Sequence, residues 1–143
     1  MVSATCPECG ARYDAVDDSC QARFEALLAL DHSRREPWGS RHALAFAAFA
    51  VQHPSRFPAH SVTRARELLE RVFLRHEPLD AVVRDYRARP RDQPTPQASN
   101  LQRGGSGFAV TIADLGDFAA DTYPALLERW CLASLNPQEP GAA

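Results

Sequence analysis

Apolar residues recur at helical spacing through the middle of the chain, and this pattern predicts four helices there. The expected ranges are Cys20 to His32, Arg41 to His53, Ser61 to Glu77 and Leu79 to Ala88. Proline follows the second helix and opens the fourth, because its ring fits only the first turn of a helix. Side-chain caps are expected from Asp18 and Ser19, where Asp18 with Gln21 resembles a capping box, from Ser40, and from Thr111 with Asp114.

The second predicted helix is apolar on every side. Its stretch from Leu44 to Val51 contains only Leu, Ala, Phe and Val. A helix without a polar face is typical of a buried position, and its many alanines allow neighbouring helices to approach closely. We therefore expect this helix at the centre of a helical bundle.

Two segments, 1–19 and 89–107, lack a periodic apolar pattern. The first is rich in Gly, Asp and Ser and predicts a knuckle followed by a loop. The second contains three prolines and a Gly-Gly-Ser-Gly run, which are typical of a flexible linker or a long surface loop.

Helical spacing returns in segment 108–143. There, a last helix is expected to begin between Asp121 and Pro124 and to end near Leu135. We expect one domain over residues 1–143, an all-α bundle of about five helices with a small N-terminal zinc knuckle. In this arrangement the C-terminal segment packs back on the helical core at 20–88.

Composition narrows the class of protein. The 143 residues carry a net charge of −2 and are 45% apolar, and no run approaches the roughly 20 apolar residues of a membrane span. The N-terminus lacks the positive and apolar stretches of a secretory signal, so we expect a cytoplasmic protein. The near-balanced charge makes nucleic acid an unlikely partner. The apolar central helix leaves open a homodimer, in which a second copy would cover part of it.

The cysteines suggest a metal site. Cys6 and Cys9 stand in a Cys-Pro-Glu-Cys-Gly sequence, and a reducing compartment favours metal ligation over disulfides. A redox pair would follow a strand and open a helix, and neither is predicted here. Zn²⁺ prefers thiolates in tetrahedral array, and Gly10 can adopt the left-handed conformation that a tight turn needs after the second thiol.

Cys20 is the expected third ligand because it begins a helix, where free amides stabilise a thiolate. In a short-looped antiparallel helix pair, the start of the first helix lies beside the end of the second, which favours His53 as the fourth ligand. His42 is the alternative fourth ligand, although it lies about 16 Å from His53 along the helix axis. Cys131, on the apolar stripe of the last helix, is expected in the core.

A second candidate feature is the stripe His42, Phe46, Phe49 and His53 on the central helix. Ordinary core packing accounts for it. The alternative is a small-ligand pocket formed by Trp38, His42, Phe46, Phe49 and His60, with His42 as a candidate catalytic acid or base. The stripe contains no carboxylate, so it shows no acid–base pair.

Several motifs in order resemble a known family: the Cys6–Gly10 knuckle, Cys20, the Trp38-x-x-x-His42 pair and the Gln52-His53-Pro54 element. They are similar to a family of small bacterial proteins known only as a domain of unknown function. The resemblance implies a metal-binding helical protein without an assigned activity. The family pattern has Val-Asp-x-Tyr in the central helix, where this chain has Ala45-Phe46 and Phe49, so the aspartate and the tyrosine hydroxyl are missing.

Three functions remain open from the sequence. The preferred one is a zinc-binding helical protein that acts as an accessory or interaction module, because sulfur-rich ligands favour a closed structural site. The second is a small-molecule enzyme, for example of specialised metabolism, that uses His42. The third is a nucleic-acid-associated zinc protein that uses the arginines between Arg64 and Arg91, although interleaved acids predict a salt-bridged surface there.

Overall fold

The computed structural model describes residues 4–89 and 107–136. These residues form five α-helices and one antiparallel pair of short strands, which confirms the all-α expectation. The elements are β1 (Ala4–Thr5), β2 (Arg12–Tyr13), α1 (Cys20–His32), α2 (His42–Gln52), α3 (Ala59–Phe73), α4 (Leu79–Ala88) and α5 (Tyr123–Ser134). The predicted linker at 89–107 falls outside the described residues except for its first and last positions.

Helix α2 is the central helix, as its composition predicts. It packs against α1, α3 and α5. Its residues Ala45, Ala48 and Ala50 are fully buried, and Phe49 is buried with them. The small side chains allow this close approach from several directions, so the absence of a polar face on α2 follows from its position.

The start of α1 is capped by one of the two residues expected there. Ser19 is the N-cap, and its hydroxyl accepts a hydrogen bond from the amide of Ala22 at 3.0 Å. Asp18 instead forms a bidentate ion pair with Arg23, in which both N···O distances are 2.9 Å. The predicted pairing of Asp18 with Gln21 is therefore wrong. The predicted bounds of α1 are confirmed.

The second and third helices differ from their predicted ranges. A 3₁₀ turn, Gly39–Arg41, precedes α2, and Ser40 lies inside this turn. The amide and the hydroxyl of Ser40 donate hydrogen bonds to the Glu36 carboxylate. Ser40 is therefore not a helix cap. Helix α3 begins earlier than expected, directly after Pro58, and ends earlier, because the chain turns at His76 with a positive φ of 57°.

The C-terminal segment packs back on the bundle. The predicted capping box of Thr111 with Asp114 is confirmed, and it caps the 3₁₀ turn Ile112–Leu115. The Trp38 indole donates a hydrogen bond to the carbonyl oxygen of Phe118 at 2.9 Å, which joins the α1–α2 connection to this segment. No helix in the described part of the chain is long and apolar enough to cross a membrane.

Candidate metal centre

The N-terminal knuckle is a short β-hairpin that the sequence pattern did not reveal. Strands β1 and β2 pair with Thr5 opposite Arg12. Between them the Cys6 amide donates to the Ala11 carbonyl at 2.7 Å, and the Gly10 amide donates to the Cys6 carbonyl at 2.9 Å. Gly10 has a φ of 90°, so the expectation that it adopts a positive φ is confirmed. This turn holds the sulfur atoms of Cys6 and Cys9 within 4.8 Å of each other.

The hairpin brings its two thiols to the start of α1 and the end of α2. Cys6, Cys9, Cys20 and His53 each offer one ligand atom, and these atoms lie within 4.8 Å of one another. The Cys9 and Cys20 sulfurs are 3.5 Å apart. Ligand atoms of a tetrahedral zinc ion with bonds of about 2.3 Å are separated by about 3.8 Å, so the group has the spacing to hold one ion.

The His53 ring is oriented as a metal ligand. Nδ1 lies 2.9 Å from the carbonyl oxygen of Phe49, and since a carbonyl only accepts, Nδ1 carries the proton. Nε2 is therefore the basic nitrogen. It is buried and has no hydrogen-bond partner within the described residues. Metal-binding histidines typically donate their second N–H to a backbone carbonyl in this way.

The electrostatic environment favours a thiolate at Cys20. The hydrogen bond from the Cys9 thiol is the main reason that the Cys20 pKa is lowered to about 4; burial opposes this shift, and the nearby His53 and Tyr13 side chains support it. The same pairing with Cys20, assisted by burial, raises the pKa of Cys9. One negative charge is thus shared by the two sulfurs, and a bound cation would be the natural compensation.

Tyr13 belongs to this site although nothing in the sequence pattern indicated it. Its hydroxyl lies 3.0 Å from the Cys20 sulfur, and the ring is buried in the knuckle. Its pKa is raised, first by burial and then by the hydrogen bond to Cys20. Tyr13 therefore acts as a hydrogen-bond donor to the sulfur. A partner that contacts a ligand from a separate strand has no fixed sequence spacing by which it could be recognised.

The remaining sequence candidates lie elsewhere. Cys131 is fully buried on α5, as expected for a core cysteine. His42 begins α2 at the end opposite to His53. Its Nδ1 forms a hydrogen bond of 2.9 Å with the Asp31 carboxylate. Among the described residues, the group that could hold a metal ion consists of Cys6, Cys9, Cys20 and His53, and His42 is not part of it.

The pocket expected on the central helix is assembled only in part. His42 and Phe46 line a cavity of about 460 Å³ between α2, α3 and α4. Phe49 is instead fully buried between the rings of Phe24 and His53, with centroid distances of 3.9 and 4.1 Å. Trp38 packs against the C-terminal segment and His60 is exposed on α3, so neither lines this cavity. Trp38, Phe49 and His60 therefore do not line this cavity with His42 and Phe46, contrary to the expectation.

Several arginines of α3 and α4, and Arg89 directly after α4, form ion pairs with neighbouring acids. Arg71 contacts Glu77 at 2.8 Å and Asp85 at 2.7 Å, and Arg89 contacts Asp85 and Glu67. Such a network is typical of a solvated protein surface and leaves these cations already compensated.

The chain was compared with known proteins on the basis of sequence and structure. Comparison with curated proteins and with solved structures found no match. A family model described as a family of unknown function, DUF5946, matches residues 4–136. This match includes the knuckle, the helical bundle and the last helix, and it confirms the resemblance to a domain-of-unknown-function family. The chain therefore belongs to the family of unknown function DUF5946.

Proposed function

We propose that this protein is a small zinc-binding helical module in which Cys6, Cys9, Cys20 and His53 hold one Zn²⁺ as a structural centre. Three thiolates and an imidazole are donors that zinc prefers, and four protein donors complete a tetrahedral shell. A complete shell leaves no position for a substrate, so the donor set supports a structural role.

The site would stabilise the part of the fold that has the least core of its own. A hairpin of two-residue strands is too short to be stable alone. Besides the cysteine cluster, the knuckle is joined to the bundle by the Glu8 carboxylate, which accepts from the Ser55 amide at 3.0 Å. The amide of Phe108 also donates to the Cys9 carbonyl at 3.1 Å. Metal binding would therefore contribute directly to folding free energy.

The observation that carries the proposal is the His53 ring. Its Nε2 is a buried basic nitrogen without a partner in the described chain, beside three thiol sulfurs. Burial of an unpartnered polar atom is costly, and coordination to a cation removes that cost. With the metal in place, the protein would present its helical surface as an accessory or interaction module to another protein.

The test is metal analysis of protein purified without chelators. We expect one equivalent of zinc per chain, and X-ray absorption at the zinc edge should show three sulfur neighbours at about 2.3 Å and one nitrogen at about 2.0 Å. Protein that is folded and contains no transition metal would contradict the proposal. A zinc shell with a bound water in place of one ligand would contradict the structural role and favour catalysis.

A further inference from the structure

His42 and Asp31 form a pair at the end of the bundle opposite to the metal centre. Asp31, in the last turn of α1, is 4% exposed, and its Oδ2 lies 2.9 Å from Nδ1 of His42. The His42 side chain remains 40% exposed. Because a buried carboxylate accepts from Nδ1–H, the ring presents Nε2 as its basic nitrogen. Nε2 has no hydrogen-bond partner among the described residues.

Stability of the fold does not explain why a carboxylate is buried at this position. A carboxylate removed from water needs several hydrogen bonds to offset its lost hydration, and Asp31 has one side-chain partner, His42, within the described chain. Its second oxygen, Oδ1, is buried without any. Buried charged groups that lack full hydrogen bonding are expected mainly at functional sites.

The pair opens on two adjoining cavities. One, of about 920 Å³, includes Asp31 and His42 in its lining, and the other is the cavity of about 460 Å³ described above. They share His42, Ala43, Val83 and Arg87, so His42 stands where the two meet.

The larger cavity is lined by four arginines and by two aspartates, Asp31 and Asp80. Arg34, just after α1, and Arg87, in the last turn of α4, both line it, and neither forms an ion pair within residues 4–89 and 107–136. Two other arginines of this cavity are paired with carboxylates. Guanidinium groups without a carboxylate partner are suited to bind a carboxylate or a phosphate.

The smaller cavity supplies apolar contacts. Phe46 and Ala47 from α2, Leu68 from α3 and Val83 from α4 contribute to its lining. A ligand whose charged group lies beside Arg34 and Arg87 could therefore place a hydrocarbon portion against these side chains. Mostly apolar walls with a few convergent polar groups are typical of small-molecule sites.

We propose that the joined cavities bind a small organic anion that also carries a hydroxyl group. Arg34 and Arg87 bind the carboxylate or phosphate, the side chains around Phe46 contact the apolar portion, and Nε2 of His42 accepts a hydrogen bond from the hydroxyl. Asp31 is a positioning residue that fixes the His42 ring and its tautomer. This site is independent of the metal centre, which lies at the other end of α2.

The test compares three probes by isothermal titration calorimetry and by NMR of the His42 ring: mandelate, phenylacetate, which lacks the hydroxyl, and 2-phenylethanol, which lacks the anionic group. For compounds of about ten non-hydrogen atoms we expect a mandelate Kd on the order of 1 mM. Phenylacetate should bind several-fold more weakly because one hydrogen bond is missing. 2-Phenylethanol should bind at least about tenfold more weakly than mandelate, because it lacks the charged group that contacts the arginines.

Variants connect each effect to its residue. Arg87→Gln should weaken mandelate binding about tenfold, whereas Arg129→Gln, on the exposed face of α5, should leave it unchanged. His42→Gln and Asp31→Asn should reduce the ratio between mandelate and phenylacetate to about one, a change in selectivity that simple loss of stability does not produce. His60→Gln, an exposed histidine of α3, is the matched control.

Three outcomes would overturn the proposal. The first is that none of the three probes gives a saturable response in folded protein as purified. The second is that Arg87→Gln and Arg129→Gln affect mandelate equally. The third is that His42→Gln retains the preference for mandelate over phenylacetate. Probe binding is measured on folded protein as purified, and zinc content is measured separately on the same samples, so failure of this proposal and failure of the structural zinc site are distinguishable.

Discussion

Nδ1 of His53 donates a hydrogen bond to the carbonyl oxygen of Phe49, one turn earlier on the chain, at 2.9 Å. The two rings also stack, with centroids 4.1 Å apart. The hydrogen bond fixes the tautomer and the stacking limits rotation of the imidazole. His53 is therefore held in a ligand orientation by residues of its own helix and does not depend on the hairpin for it.

The position of this ring predicts different results for the two histidines at the ends of α2. His53→Ala removes a ligand and should lower zinc affinity by more than the roughly 100-fold that loss of an outer contact can cost. His42→Ala should retain one equivalent of zinc, although it leaves Asp31 unpaired and will reduce thermal stability. Both variants are measured by competition with a chromophoric chelator. Loss of zinc from His42→Ala with retention in His53→Ala would contradict the ligand assignment.

Two buried cysteines allow a second matched comparison. Cys9→Ser should reduce both zinc content and melting temperature, because ligation contributes to folding; a loss of about 3 kcal/mol would lower Tm by roughly 10 °C for a domain of this size. Cys131→Ala removes a thiol from the core near the Leu44 carbonyl, far from the cluster along the chain, and should retain the metal. If Cys9→Ser kept full zinc content and the Tm of the parent protein, a structural role for this thiol would be wrong.

The sequence is sufficient to predict the helical bundle and the four members of the cysteine–histidine group. Proline positions and the apolar period located α1 and α4 at their observed bounds. The antiparallel arrangement of α1 and α2 was enough to select His53 over His42, since only the last residue of one helix can approach Cys20 at the start of the other. These inferences depend on local spacing and on the topology of one helix pair.

The same reasoning does not predict contacts between segments that are distant in the sequence. The His42 stripe on α2 contains no carboxylate, but Asp31 reaches His42 from α1. Phe49 shares a helical face with Phe46, which predicts a position in the same pocket, but stacking on Phe24 buries it completely. In both cases the outcome depends on rotation of one helix against another, which periodicity does not specify.

The hydroxyl of Tyr13 predicts a graded effect on the metal centre. Tyr13→Phe removes the 3.0 Å hydrogen bond to the Cys20 sulfur and keeps the ring, so the site should remain formed but bind zinc about tenfold more weakly. Tyr86→Phe, which alters a tyrosine of α4, is the control and should not change affinity. Equal zinc affinities for Tyr13→Phe and the parent protein would show that this hydrogen bond does not support the ligand.

The ion-pair network around Arg71 predicts a dependence of stability on pH. Hydrogen bonds from the Arg71 guanidinium hold the pKa values of Glu77 and Asp85 below their usual range. A carboxylate with a lowered pKa in the folded protein stabilises it above the unfolded pKa of about 4, and this contribution is lost as pH falls through the lower folded value.

Arg71→Gln should therefore be less stable than the parent protein to urea at pH 7, and the gap between the two midpoints should shrink at pH 3. Release of metal in acid affects both proteins, so the gap rather than either midpoint is the relevant quantity. Arg84→Gln, which breaks an exposed pair with Asp80 at 3.5 Å, is the control and should show no measurable gap at either pH. A gap for Arg71→Gln that stays constant or widens in acid would mean that these carboxylates do not derive their stabilising effect from Arg71.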